Sequence, residues 1–201
     1  MKYLEYMGLR IYYIYDYVPK NKPRLLIDET DVEIQGKILD YKDSGNSANS
    51  VVMEMTDVIH QSLKELSWEI AGFSKYDKYL IAVPTSSRDR VSTVANSIDI
   101  ICHIDESFED KCSLLYRSKD LEPQHLRKRE KNILEILEDS LDCLYDNMDK
   151  VKNSVYFLID DIVTLGNSML SCVKTLEKHG INRNKIICLA LAKTRSECEE
   201  F

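Results

Sequence analysis

Asp160 and Asp161 end an apolar run, Val155–Ile159, and Thr164, Gly166 and Ser168 follow at alternate positions of a short turn. A helical pattern comes next, with apolar residues at Met169, Leu170, Cys172, Val173 and Leu176. A strand, an acidic pair, a turn bearing hydroxyls and a glycine, and a helix start together suit a sugar phosphate. A helix start leaves backbone N–H groups unpaired and carries partial positive charge, so a phosphate can sit there without a lysine. Gly166 permits a positive φ and a close approach of the backbone to the anion. Thr164 and Ser168 add hydroxyl donors, although Ser168 equally suits a plain helix cap. Carboxylates at the end of a strand lie where open α/β sheets bind ligands. There they can accept hydrogen bonds from vicinal ribose hydroxyls, directly or through Mg²⁺ and its waters.

An Asp-Asp pair alone reads as strand punctuation and helix capping. The whole pattern with its flanks carries the sugar-phosphate reading. Competing motifs are missing. The chain has no Gly-x-x-x-x-Gly-Lys-Ser/Thr loop and no Gly-x-Gly-x-x-Gly, and Ile162 stands where a phosphatase-type Asp-x-Asp would need its second acid. Cys102-His103 with Cys112 lacks a fourth ligand at metal-site spacing.

The segment Val155–Ser168 resembles the phosphoribosyl pyrophosphate (PRPP) signature of type I phosphoribosyltransferases: an apolar stretch, two acids, two apolar residues, Thr-Thr-Gly, any residue, then Thr or Ser. Leu165 stands where the second threonine is usual. The resemblance implies that Asp160 and Asp161 bind the ribose hydroxyls and Mg²⁺. It implies that Thr164, Leu165, Gly166, Asn167 and Ser168 bind the 5-phosphate. Leu80–Arg88 is similar to the family's strand and Pro-led loop, which places Pro84, Thr85, Ser86 and Arg88 on the pyrophosphate, with Arg90 as a second cation.

Two further segments are similar to the competence protein F (ComF) branch of that family. Arg117, Gln124, Leu126, Arg129 and Asn132 match its Arg…Gln…Leu…Arg-x-x-Asn pattern, which implies substrate contacts for Arg117 and Arg129 on a mobile loop. Ile38–Gly45 matches its Tyr-Lys-x-x-Gly segment and implies that Lys42 lies near the site. The chain departs from that branch in two places. Residues 1–50 hold no cysteine, so its zinc module is missing, and only Arg90 remains of its Arg-Gly-Phe-Asn-Gln segment. The implied activity is transfer of a phosphoribosyl group to or from a nucleobase or related nitrogen acceptor, with pyrophosphate leaving and Asp160, Asp161 and Arg88 as the catalytic residues. Two other readings stay open: a non-catalytic sensor of ribose phosphates or nucleoside monophosphates, and a nucleotide-cleaving effector.

Those residues need a scaffold, and the chain reads as alternating strands and helices around a parallel sheet, an α/β fold. Strands are expected at 9–18, 31–41, Tyr79–Val83, Leu114–Tyr116, Val155–Ile159 and Ile186–Leu191. Helices are expected at 50–71, Val91–Cys102, 130–148 and 167–179. Residues 1–45 read as a β-rich appendage and 46–201 as the phosphoribosyltransferase-like domain. Trp68 is assigned to the core, and Tyr116 is a candidate for stacking on a base.

Composition sets the outer limits. With 44% hydrophobic and 30% charged residues, the chain has the make-up of a globular protein. At 201 residues it can bury roughly 70% of its unfolded surface without disulfides or metal. A net charge of −7 argues against a broad nucleic-acid surface. No apolar run reaches the length of a membrane span, and Glu5 sits within a start that lacks a cleavage site, so a cytoplasmic location is expected. A homo-oligomer or a protein partner is left open.

Overall fold

A computed structural model describes residues 1–22, 28–45, 49–69, 75–87, 92–121, 132–144 and 153–195. It is an α/β fold with a mostly parallel central sheet flanked by helices. The strands are β1 (Lys2–Tyr6), β2 (Leu9–Tyr17), β3 (Asp77–Ala82), β4 (Phe108–Asp110), β5 (Leu115–Arg117), β6 (Leu141–Cys143), β7 (Ser154–Val163) and β8 (Ile186–Thr194). The helices are α1 (Glu29–Asp43), α2 (Ser50–Glu69), α3 (Thr93–Ile104), α4 (Ile133–Asp139) and α5 (Asn167–Lys178). Six strands form the main sheet in the order β1-β2-β8-β7-β3-β4, while β5 and β6 form a separate antiparallel ribbon. Among the described strands of the main sheet, only β1 runs antiparallel to its neighbour.

The central strands are apolar on both faces, as parallel strands covered on both sides must be. Along β7, Tyr156 and Leu158 enter one core, and Val155, Phe157 and Ile159 enter the other. Helix α5 and the β5–β6 ribbon cover the first face; α1, α2 and α3 cover the second. Met169, Leu170, Cys172, Val173 and Leu176 form the buried stripe of α5, and Val52, Met55, Ile59, Leu63 and Leu66 that of α2. Each recurs at helical spacing.

Several expectations need correction. Residues 31–41 are helical, within α1. Asp28 caps that helix by accepting from the Asp31 N–H at 3.0 Å, and Lys37 pairs with Glu33 one turn back at 2.8 Å. Its apolar residues Ile34, Ile38 and Tyr41 follow a period near four, not two. The helix expected over 130–148 ends at Asp139. There Ser140 Oγ donates to the Leu137 carbonyl at 2.8 Å, and the chain turns into β6. In β6 the alternation Leu141 in, Asp142 out, Cys143 in is that of a strand. Trp68 is 88% exposed: it lies two residues beyond Leu66 and so falls off the inward stripe of α2.

Strands β7 and β8 extend further than expected, to Val163 and Thr194. Residues 2–17 are two strands of the central sheet, because β2 pairs in parallel with β8 from Ile11↔Cys188 to Tyr17↔Thr194.

Candidate functional site

The parallel strands deliver their carboxyl ends to one edge, where the sequence-derived residues gather. Asp160 and Asp161 fall within the last four positions of β7, still inside the strand. Asp160 Oδ1 accepts from the Asp161 N–H at 2.9 Å, and Asp161 Oδ1 accepts from the Ile162 N–H at 2.6 Å. Burial, and then the charge of Asp161, hold the Asp160 carboxyl well above the usual carboxylate range.

Lys42 comes to this pair from the last turn of α1, its Nζ 3.4 Å from Asp161 Oδ2. The preceding residue fixes that turn. Tyr41 is fully buried, its hydroxyl 2.9 Å from Ser97 Oγ, and Thr56 donates to the same oxygen at 2.8 Å. Burial raises the Tyr41 phenol, and it raises the Tyr17 phenol, which stands at the end of β2 within the fields of Lys42 and Asp161.

The turn from β7 to α5 has the shape its residue types suggest. Gly166 adopts φ +92 and is the N-cap of α5; a Cβ there would lie 2.7 Å from Ile11 Cδ1 and 3.2 Å from Tyr6 Cδ1. The glycine is therefore required by backbone conformation and by packing at once. No side-chain hydrogen bond caps the helix, and its first closing bond runs from the Leu170 N–H to the Gly166 carbonyl. The first-turn N–H groups of Asn167, Ser168 and Met169 thus lack the usual cap. Thr164 Oγ1 lies 3.2 Å from Thr194 Oγ1, and Leu165 is 59% exposed beside them. Asn167 is buried, its Oδ1 accepting from the Tyr6 hydroxyl at 2.6 Å.

The Pro84 loop leaves β3 next to the acids, since the Val83 N–H donates to the Ile159 carbonyl at 2.8 Å. Thr85 Oγ1 donates to the Ser87 carbonyl at 2.6 Å, and the Ser86 carbonyl accepts from the Leu121 N–H at 2.9 Å.

Arg117 is turned to protein acceptors. It is buried, and it donates to the Thr85 carbonyl at 3.2 Å, the Leu137 carbonyl at 3.2 Å and Ser140 Oγ at 2.6 Å. Its guanidinium fastens the Pro84 loop to the end of α4. Arg88, Arg90, Gln124, Leu126 and Arg129 lie outside the described residues.

Sequence reasoning missed Tyr6 and Thr194. Both reach the turn from strands remote in sequence, and neither carries a local signal. Tyr116 is exposed on the β5–β6 ribbon, its hydroxyl bonded to Asp142 at 3.1 Å.

The donor set is a poor fit for a metal held by the protein. Both Asp161 oxygens are engaged, by the Ile162 N–H and by Lys42. Among the described residues no three His, Cys, Asp or Glu side chains cluster to hold a cation. No helix among them is long and apolar enough to cross a membrane. No family model matches the chain, and no curated protein matches it.

Proposed function

We propose that this chain has a type I phosphoribosyltransferase fold and transfers a phosphoribosyl group between PRPP and a nitrogen acceptor, a nucleobase or a related heterocycle. One observation carries the reading: two adjacent carboxylates at the end of β7 lead directly into a left-handed glycine and an uncapped helix N-terminus. Carboxylates accept from vicinal hydroxyls, and uncapped N–H groups bind a phosphate monoester. A ribose 5-phosphate presents both, with a separation that one short turn can span.

In that reaction the bond from C1 of the ribose to the diphosphate oxygen breaks as a C1–N bond forms, and the nitrogen's proton passes to solvent. Asp160 and Asp161 hold the ribose and favour positive charge developing at C1. The α5 turn fixes the 5-phosphate, and the Pro84 loop lies where the diphosphate departs. Such catalysis rests on positioning and on charge stabilisation.

A second reading, a non-catalytic sensor of nucleoside monophosphates, is favoured by Arg117. The cation expected on the substrate is consumed by protein acceptors. Calorimetric titration with PRPP and with nucleoside monophosphates separates the two. PRPP binding near micromolar affinity, about −8 kcal/mol, followed by release of diphosphate with an acceptor base, supports transfer. Monophosphate binding without turnover supports the sensor, and no binding of either removes the site assignment.

A further inference from the structure

We propose that Lys42 supplies, at this site, the positive charge that a divalent cation would bring to a carboxylate pair, so that the site takes ribose 5-phosphate without metal. This rests on the sugar-phosphate reading above and narrows it to phosphate monoesters of ribose.

Two observations carry it. The first is occupancy of the acids. Asp161 has one oxygen on the Ile162 N–H at 2.6 Å and the other facing the Lys42 ammonium at 3.4 Å, while Asp160 has one oxygen on the Asp161 N–H at 2.9 Å. Mg²⁺ needs six oxygens in near-ideal octahedral geometry and gives up its waters reluctantly. An ammonium asks only for acceptors and offers three donors, so one directed at Asp161 leaves others for a ligand hydroxyl or phosphate oxygen.

The second is that Lys42 is held in place. Tyr41 beside it is 0% exposed and tied through its hydroxyl to Ser97. At the other end of α1, Arg195 clamps Asp31 with two hydrogen bonds of 2.7 and 3.0 Å. A helix fixed at both ends presents its last turn to β7, so the backbone that carries Lys42 is already in position before a ligand arrives.

The test is titration of the full chain with ribose 5-phosphate, in excess EDTA and in millimolar Mg²⁺, for the wild type, Lys42→Met and Lys42→Arg, with melting temperature measured alongside. Wild type and Lys42→Arg should bind equally in both buffers, within about twofold. Lys42→Met, which keeps the aliphatic stem, should lose about tenfold or more in EDTA and recover most of that in Mg²⁺ at an unchanged melting temperature. Loss of wild-type binding in EDTA with binding retained in Mg²⁺ would overturn the proposal but leave the ribose-phosphate site standing. Equal binding by Lys42→Met and wild type in EDTA would overturn it as well. Failure of the wild type to bind in either buffer would remove the underlying site reading along with it.

Discussion

The Tyr6 hydroxyl donates to Asn167 Oδ1 at 2.6 Å, across 161 residues of sequence, and joins the outermost strand of the sheet to the first turn of α5. The ring of the same tyrosine packs on Gly166. Tyr6→Phe keeps the ring and removes the bond, so it should cost about 1 kcal/mol in urea unfolding. Tyr6→Ala removes the packing too and should cost more. Both should weaken ribose-phosphate binding if the turn holds the phosphate. Binding by Tyr6→Ala at full strength would show that the turn does not depend on β1.

Gly166→Ala tests the turn itself. The added Cβ meets Ile11 Cδ1 at 2.7 Å in a backbone conformation that disfavours side chains. The expected loss is about 1–3 kcal/mol of stability, read from the denaturation midpoint. A variant as stable as wild type would mean that β2 shifts to make room.

Asp161→Asn separates site from scaffold. The Lys42–Asp161 contact is partly exposed, so its loss should change stability by less than about 1 kcal/mol. The same change should abolish binding of PRPP or nucleoside monophosphates. Unchanged affinity would remove Asp161 from the site.

Arg117→Ala should behave in the opposite way. It strips a buried cation from the Thr85 and Leu137 carbonyls and from Ser140 Oγ, so stability should fall by roughly 2–4 kcal/mol. Arg117→Lys should rescue little of it, because an ammonium cannot reproduce the planar fork. A melting temperature within a degree or so of wild type for Arg117→Ala would contradict the structural role.

Asp160 gives a pH prediction. Its native carboxyl holds a proton more tightly than the ordinary value of 3.8, because the half-buried group is desolvated and lies beside the charge of Asp161. The native state therefore binds more protons than the unfolded chain, and stability falls as pH rises from about that value through the raised one. Asp160→Asn removes the cost. It should unfold at higher urea than wild type at neutral pH, with the difference shrinking as pH falls towards 3.8. A difference independent of pH would contradict the raised proton affinity.

Local pattern carried much of this fold. Strands β2, β7 and β8 are apolar runs, and α2 and α5 have clean stripes, so their period is visible without tertiary knowledge. The acidic pair and turn were legible for the same reason, being consecutive in the chain. Other parts depend on distant contacts. β4 and β6 hold only three residues each, too few to show a period, and β1 is an edge strand with both faces partly exposed. In α1 the helical spacing of Ile34, Ile38 and Tyr41 is diluted by Glu33, Lys37, Asp40 and Lys42. Arg117 sits in a pattern that suggests a ligand, and only the folded chain shows its donors turned to Thr85, Leu137 and Ser140.

Strand β8 lies between β2 and β7, although it follows both in the chain. During synthesis the first hairpin and the strand bearing the acids are made well before the strand that joins them. Until Ile186–Thr194 emerges, β2 and β7 have no shared neighbour, and two rows of backbone donors and acceptors stay open. The edge that carries the acids and the Tyr6-buttressed turn is completed when β8 inserts between β2 and β7. Chains that stop short of β8 thus leave the facing edges of β2 and β7 unpaired and exposed to strand-mediated association.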